Sequence, residues 1–192
     1  MLYDFTYRYI KGKGEWTMKK GFLVACLVTV SALMVLAVAA QVVPPDIQKY
    51  PSCKYCGMDR QKFAHSRMLI EYEDGSGFGS CSVHCLAVDL AQSIDKTPKV
   101  IQVADYNTKN LGDAEKAHWV IGGKKPGVMT KRAKWAFEKD KDTQAFIKEN
   151  EGKPASLDEA MKASYEDMYE DTKMIRERRA KKRMMEKEKK AN

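Results

Sequence analysis

The stretch Cys53-Lys54-Tyr55-Cys56-Gly57-Met58 places two thiols and one thioether within six residues of a 192-residue chain. Soft sulfur ligands of this kind select Cu(I), Zn or Fe–S clusters and disfavour hard cations such as Mg or Ca. The thioether favours reduced copper, because zinc sites are built from thiolate, imidazole and carboxylate groups. The stretch therefore predicts a soft-metal site, with a disulfide as the alternative if the chain is exported.

The residues before this motif have the pattern of an export signal. Residues 21–40 contain no charged side chain and follow Met18-Lys19-Lys20, as in a secretory signal peptide. We expect either cleavage after Ala39 or Ala40, or retention as a membrane anchor, since about 20 apolar residues suffice to cross a bilayer. Translation is expected to start at Met18 rather than Met1. Both outcomes place the domain outside the cytoplasm, in the periplasm or attached to the outer side of a membrane.

The formal net charge of +8 is concentrated at the two ends of the chain. Residues 1–40 contribute +3 and residues 173–190 contribute +7, which leaves −2 for the domain between them. A nucleic-acid-binding domain carries its basic patch on the folded domain itself, so we expect no nucleic-acid partner. The charged C-terminal segment is expected to be a helical or disordered tail, either solvated or resting on an anionic membrane surface.

The pattern of apolar residues predicts a small single α+β domain between these ends, with a short antiparallel sheet and packed helices. The expected organisation is an N-terminal extension and signal or anchor helix over 1–40, an extended linker over 41–52, the domain over 53–163 and the charged tail over 164–192. Strands are predicted over 67–73, 78–80, 99–104 and 117–121, and helices over 83–94, 143–149 and from 156 onward.

Four cysteines remain beyond the leader, which itself contains Cys26. They form a C-x2-C pair and a C-x3-C pair: Cys53, Cys56, Cys81 and Cys85. The second pair encloses His84. Two close pairs permit a structural zinc site, a set of disulfides, or a soft-metal site with reduced thiols.

Several segments resemble the NosL family. They are, in chain order, Cys56-Gly57-Met58, Phe78-Gly79-Ser80, Cys85-Leu86, residues 103–108 (V-A-D-Y-N-T), residues 117–123 (A-H-W-V-I-G-G), residues 126–130 (P-G-V-M-T) and residues 133–137 (A-K-W-A-F). The similarity covers about residues 53–161. It implies a small α+β domain that is an exported, membrane-attached copper chaperone and not an enzyme. It also implies delivery of Cu(I) to nitrous oxide reductase or its copper-assembly machinery.

The same resemblance implies a ligand set for copper. Cys56 and Met58 would bind Cu(I), and Met129 would be the third ligand, although its loop reads P-G-V-M-T where the family has T-P-M-G. A mixed thiolate–thioether set can hold Cu(I) and still release it. Further metal or disulfide positions are Cys53, Cys81, His84, Cys85 and His65.

Two other functions fit parts of the pattern. One is a structural zinc-binding or disulfide-stapled interaction domain outside the cytoplasm. The other is a thiol oxidoreductase, because C-x2-C is also a redox motif that opens a helix and thereby lowers the pKa of its first thiol. Here Gly57 follows the second thiol directly, and the next helical pattern begins only after Ser82. The sequence therefore favours metal binding over thiol exchange.

Overall fold

The computed structural model describes residues 43–191. The predicted leader and its cleavage sites lie outside the described residues. Within 43–191, no helix combines the length and the apolar character that crossing a bilayer requires.

Helices and strands alternate along the described part of the chain. They are α1 (Pro45–Lys49), β1 (Met68–Tyr72), β2 (Gly77–Ser80), α2 (Val83–Gln92), β3 (Pro98–Ala104), β4 (Leu111–Asp113), β5 (His118–Ile121), β6 (Lys134–Phe137), α3 (Asp140–Asn150), β7 (Lys153–Ala155) and α4 (Leu157–Ala191). The predicted α+β class is confirmed, and the predicted strands and helices are present with ends shifted by a few residues.

The strands form two antiparallel sheets where the sequence predicted one. Their orders are β2-β1-β3-β4 and β6-β5-β7. The second sheet was missed because two of its three strands, β6 and β7, were not predicted: each is only three or four residues long and neither shows apolar alternation. Likewise, β4 lies inside a segment that reads as a polar loop.

The core lies between these sheets and the helices. In β1 every second side chain, from Met68 through Ile70 to Tyr72, is buried, which is the alternation expected of a strand with one face on the core. Leu86 of α2 is fully buried in the same cluster, and Trp119 of the second sheet also belongs to it. One continuous core therefore joins both sheets to the helix that follows the second cysteine pair.

The segment predicted as an extended linker contains α1. Its three prolines suggested extended chain, but Pro45 stands in the first turn of the helix, where proline is favoured. Ile47 is buried. Asp46 binds the guanidinium groups of Arg60 and Arg67, each at 2.8 Å. Residues before Cys53 are therefore packed against the domain.

These three residues, which we call the Asp46 network, connect distant parts of the chain. The Arg60 side chain is fully buried and donates to the carbonyl oxygens of Asp46, Tyr50, Met68 and Ser80. The close approach requires a glycine at position 79, since a Cβ atom there would lie 2.6 Å from Arg60 Cζ. Such fully paired burial is the condition under which an internal charge is tolerated.

Helix α4 continues without a break across residue 163, where the sequence places the start of the tail. Ser164, Asp171 and Met174 on this helix are buried. Asp167 accepts hydrogen bonds from Arg132 Nε at 2.9 Å and Lys134 Nζ at 2.7 Å. The first half of α4 therefore packs on the domain, and every residue from 176 to 190 is exposed.

Replacing Asp46 by asparagine should lower the free energy of unfolding by roughly 3–5 kcal/mol, because two buried guanidinium groups lose their counter-charge. Burial opposes ionisation of Asp46, but hydrogen bonds and charge from Arg67 and Arg60 nevertheless lower its pKa. The ionised carboxylate therefore makes its full contribution to the free energy of unfolding above the unfolded-state pKa of about 3.9. That contribution declines as the pH falls below this value.

Urea unfolding of the wild type and Asp46→Asn at pH 7 and at pH 3 measures this effect. The matched control is Asp95→Asn, which removes an exposed carboxylate and should change stability little. Equal unfolding free energies for Asp46→Asn and the control at pH 7 would contradict the role of the network.

Candidate metal centre

The structure brings all four cysteines of the described region into one group, which we call the thiol cluster: Cys53, Cys56, Cys81 and Cys85. Their sulfur atoms lie within 4.8 Å of one another, with 3.3 Å between Cys56 and Cys81. All four are free thiols. A single tetrahedral ion bound by four sulfurs at about 2.3 Å would separate them by about 3.8 Å. The spacing therefore fits one metal ion at the centre.

The first cysteine pair lies on a hairpin, here called the cysteine hairpin, over residues 52–59. The amide of Cys53 donates to the carbonyl of Met58 at 2.9 Å, and the amide of Gly57 donates to the carbonyl of Cys53 at 2.8 Å. Gly57 has φ 72°, in the left-handed region that glycine adopts without strain. This glycine lets the chain turn tightly enough to bring both thiols of the pair into the cluster.

The second cysteine pair lies at the start of α2. Cys81 precedes the helix, Ser82 is its N-cap residue in an extended conformation, and Cys85 is in the first turn. The N-terminus of a helix carries a partial positive charge, which would favour the negative charge of the thiolates once a metal ion is bound. The predicted N-terminal position of Ser82 is confirmed, although its side chain makes no capping hydrogen bond.

Side-chain hydrogen bonds fix the position of the first cysteine pair relative to the second. The Tyr55 hydroxyl, at the tip of the cysteine hairpin, donates to Asp89 of α2 at 2.8 Å. The Tyr72 hydroxyl donates to the other oxygen of the same buried carboxylate. Ser66 Oγ donates to the carbonyl of Cys81 at 2.8 Å. Together with Arg60, these bonds join the hairpin to the strand and helix that carry the second pair.

The thiols interact strongly because they are close and mostly buried. Hydrogen bonding with the Cys56 thiol lowers the pKa of Cys53. Hydrogen bonding with Cys53 raises the pKa of Cys81 and of Cys85. Hydrogen bonding with Cys53 opposes ionisation of Cys56, but hydrogen bonds with Cys81 and Cys85 nevertheless lower its pKa. Negative charge therefore develops first on the first cysteine pair, and Cys81 and Cys85 keep their protons until a cation compensates it. The cluster is built to exchange protons for a metal ion.

Exposure differs among the four thiols. Cys53 and Cys85 are each 1% exposed and Cys81 is 0% exposed, whereas Cys56 is half-buried. A soluble reagent or a partner molecule therefore reaches the cluster through Cys56. The same residue is one of the three copper ligands expected from the sequence.

The two methionines expected as copper ligands are both half-buried and pack against the core that contains the buried thiols. Met58 ends the cysteine hairpin. Met129 has φ 63°, an unfavourable conformation for a residue with a side chain. Two residues later in the same loop, the amide of Lys131 donates to Asp171 at 3.0 Å. Their role as ligands stays a prediction.

The two histidines expected as further ligands have other neighbours. His84 is buried, and its Nδ1 lies 3.4 Å from Asp171 of α4. His65 stacks beside Tyr106 and Trp135, with ring centroids 5.7 and 5.5 Å away. Burial lowers the pKa of both histidines. Neither belongs to the thiol cluster as the described residues place it.

Sequence reasoning missed the residues that support the cluster. Arg60 bonds to a carbonyl 20 residues away, and Tyr55 bonds to Asp89, which is 34 residues away. No local sequence pattern predicts hydrogen bonds between residues so far apart in the chain. A weak signal existed in the lone aspartate inside the apolar face of α2, since a buried carboxylate needs a partner.

The comparison with family models confirms the predicted resemblance. The NosL family model matches residues 44–165. A solved structure, the copper chaperone NosL from Shewanella denitrificans, aligns with a TM-score of 0.47 at 23% identity and covers 60% of this chain and 96% of that chain. No curated protein matches the chain.

Mild oxidation should join Cys56 to Cys81 first, because Cys56 is the accessible thiol and the sulfur of Cys81 lies 3.3 Å away. The two thiols lose two electrons and two protons, which diamide takes up as it becomes the hydrazine. Mass spectrometry of a peptide digest after brief diamide treatment identifies the linked pair. A Cys85→Ser variant should form the same bond, and a first bond between Cys53 and Cys56 would contradict the geometry.

Proposed function

Because the chain belongs to the NosL family, we propose that it is a copper chaperone that binds Cu(I) outside the cytoplasm and passes it to a partner. The observation that carries the proposal is the thiol cluster, four free sulfur ligands within 4.8 Å of one another. Thiolates select Cu(I) and zinc over hard cations. No activity as an enzyme is part of this proposal.

The cluster suggests how binding and release differ among its members. Three buried thiols would hold the metal away from water and oxidants, while the half-buried Cys56 would be the ligand that a partner's sulfur replaces. Cu(I) accepts two to four soft ligands, so an incoming ligand can bind before one leaves. Met58 and Met129 are proposed as weaker thioether ligands for this exchange.

The proposed recipient is nitrous oxide reductase or its copper-assembly machinery. The support is family membership together with the resemblance of segments spread from Cys56 to Phe137. We also propose that the leader exports the domain, with or without retention as a membrane anchor. Thiols outside the cytoplasm readily form disulfides, and early binding of Cu(I) would protect the cluster from that oxidation.

A structural zinc site is the second candidate. It is favoured by one observation, the near-tetrahedral spacing of four thiols of which three are shielded from solvent. Structural zinc sites are closed and saturated by protein ligands, and they contribute directly to folding. The two candidates differ in metal preference and in the effect of the methionines.

Competition between metals separates the two candidates. The reduced full-length protein is titrated anaerobically with Cu(I) in the presence of bicinchoninate, a coloured Cu(I) chelator, with and without excess zinc. A chaperone should take Cu(I) from the chelator even with zinc present, and Cys56→Ser should weaken binding at least about tenfold, or about 1.4 kcal/mol. Retention of zinc together with no uptake of Cu(I) would favour the structural site and contradict the proposal.

The methionines provide a second test. Met58→Leu and Met129→Leu preserve size and apolar character while removing the thioether, so each should weaken Cu(I) binding and leave zinc binding unchanged. The matched control is Met161→Leu, a residue that also packs at the edge of the core. Isothermal titration with each metal measures the difference. Equal Cu(I) affinity for the wild type and both variants would remove the methionines from the ligand set.

A further inference from the structure

One face of α4 carries basic and aromatic side chains and no acidic ones from residue 162 onward. At 3.6 residues per turn, the members of this face, which we call the basic stripe, lie within an arc of about 100°. They are Lys162, Tyr165, Tyr169, Arg176, Arg179, Arg183, Lys187 and Lys190, all exposed. The acidic residues of the same stretch lie outside this arc: Glu166, Asp167, Glu170, Asp171, Glu177, Glu186 and Glu188.

Both tyrosines of the stripe are unusually exposed for large aromatic residues. Tyr165 is 44% exposed and Tyr169 is 76% exposed, and they lie one helical turn apart. Tyrosine rings and long basic side chains are the groups that cross between an apolar layer and a charged aqueous layer. Aromatic residues and uniform positive charge thus share one side of a helix whose opposite side packs on the domain as far as Met174 and is exposed beyond it.

We propose that the basic stripe is the surface by which this domain lies on an anionic phospholipid membrane. The stripe runs straight for about 40 Å, at 1.5 Å per residue, and its charge has one sign throughout. An anionic bilayer is flat over that distance and needs no residue-by-residue complement. An acidic protein would need a matching acidic row of the same length, which makes the bilayer the simpler partner.

The basic stripe lies close to the thiol cluster, so a membrane bound to the stripe would lie near the cluster. Arg179, at the edge of the stripe, donates from Nη2 to the carbonyl of Cys56 at 2.9 Å. A domain that rests on the bilayer through this helix holds the cysteine hairpin beside the lipid surface. The inference does not depend on the identity of the metal, so it stands or falls separately from the proposed function.

Hydrogen exchange of the full-length protein tests the surface without relying on overall membrane binding, to which a leader could contribute. The protein is compared on neutral vesicles and on vesicles with roughly 30% anionic phospholipid. Exchange of backbone amides in residues 176–190 should slow at least about tenfold on the anionic vesicles. The protection should disappear in roughly 0.5 M salt, because at that ionic strength charges attract one another over only a few ångströms.

Two triple variants with the same charge change provide the decisive comparison. Arg183→Gln with Lys187→Gln and Lys190→Gln removes three charges from the stripe, and this variant should lose the protection. Arg178→Gln with Lys182→Gln and Lys189→Gln removes three charges from the opposite side of the same exposed helix, and this variant should keep it.

Three results would overturn the proposal. The first is equal exchange on neutral and anionic vesicles, and the second is equal loss of protection in both triple variants. The third is protection by polyglutamate, used as a soluble acidic polypeptide, without protection by anionic vesicles, since that would assign the stripe to an acidic protein. Because none of these measurements involves metal, their failure would leave the copper proposal untouched.

Discussion

The carboxylate of Asp46 lies between the guanidinium groups of two arginines that are almost completely buried, and much of the candidate site depends on this arrangement. Arg60 and Arg67 could not be buried without a counter-charge. Arg60 then donates to carbonyl oxygens on both sides of the cysteine hairpin and on the strand that leads to Cys81. A short helix that reads as linker thus supplies the charge that fixes the positions of both cysteine pairs.

The thiol cluster is the opposite case, because its groups repel one another once they ionise. Four sulfur atoms within 4.8 Å cannot all become thiolates without a cation. The surrounding hydrogen bonds, from Ser66, Tyr55 and Arg60, act on the backbone and on neighbouring side chains and leave the sulfurs free. The scaffold therefore holds the ligands ready and relies on the metal to complete the site.

Much of the fold was predictable where local patterns are strong. The alternation of β1 and the helical spacing of α2 are visible in the sequence, and so is the glycine that follows Cys56. The two cysteine pairs are separated by 24 residues, and nothing local shows that they meet. The sequence, through its family resemblance, named Cys56, Met58 and Met129 as ligands and left Cys53, Cys81 and Cys85 as additional candidates, whereas the structure brings all four thiols into one cluster. It also missed α1, since the prolines that begin a helix and those that extend a chain look alike.

X-ray absorption at the copper edge tests the central claim most directly. The reduced protein is loaded with one equivalent of Cu(I), and the atoms bound to copper are identified from the fine structure. A first shell made only of sulfur, which loses sulfur in Cys56→Ser and in Cys81→Ser, is the predicted result. A shell dominated by nitrogen or oxygen, or one unchanged by both substitutions, would contradict the assignment of the thiol cluster as the copper site.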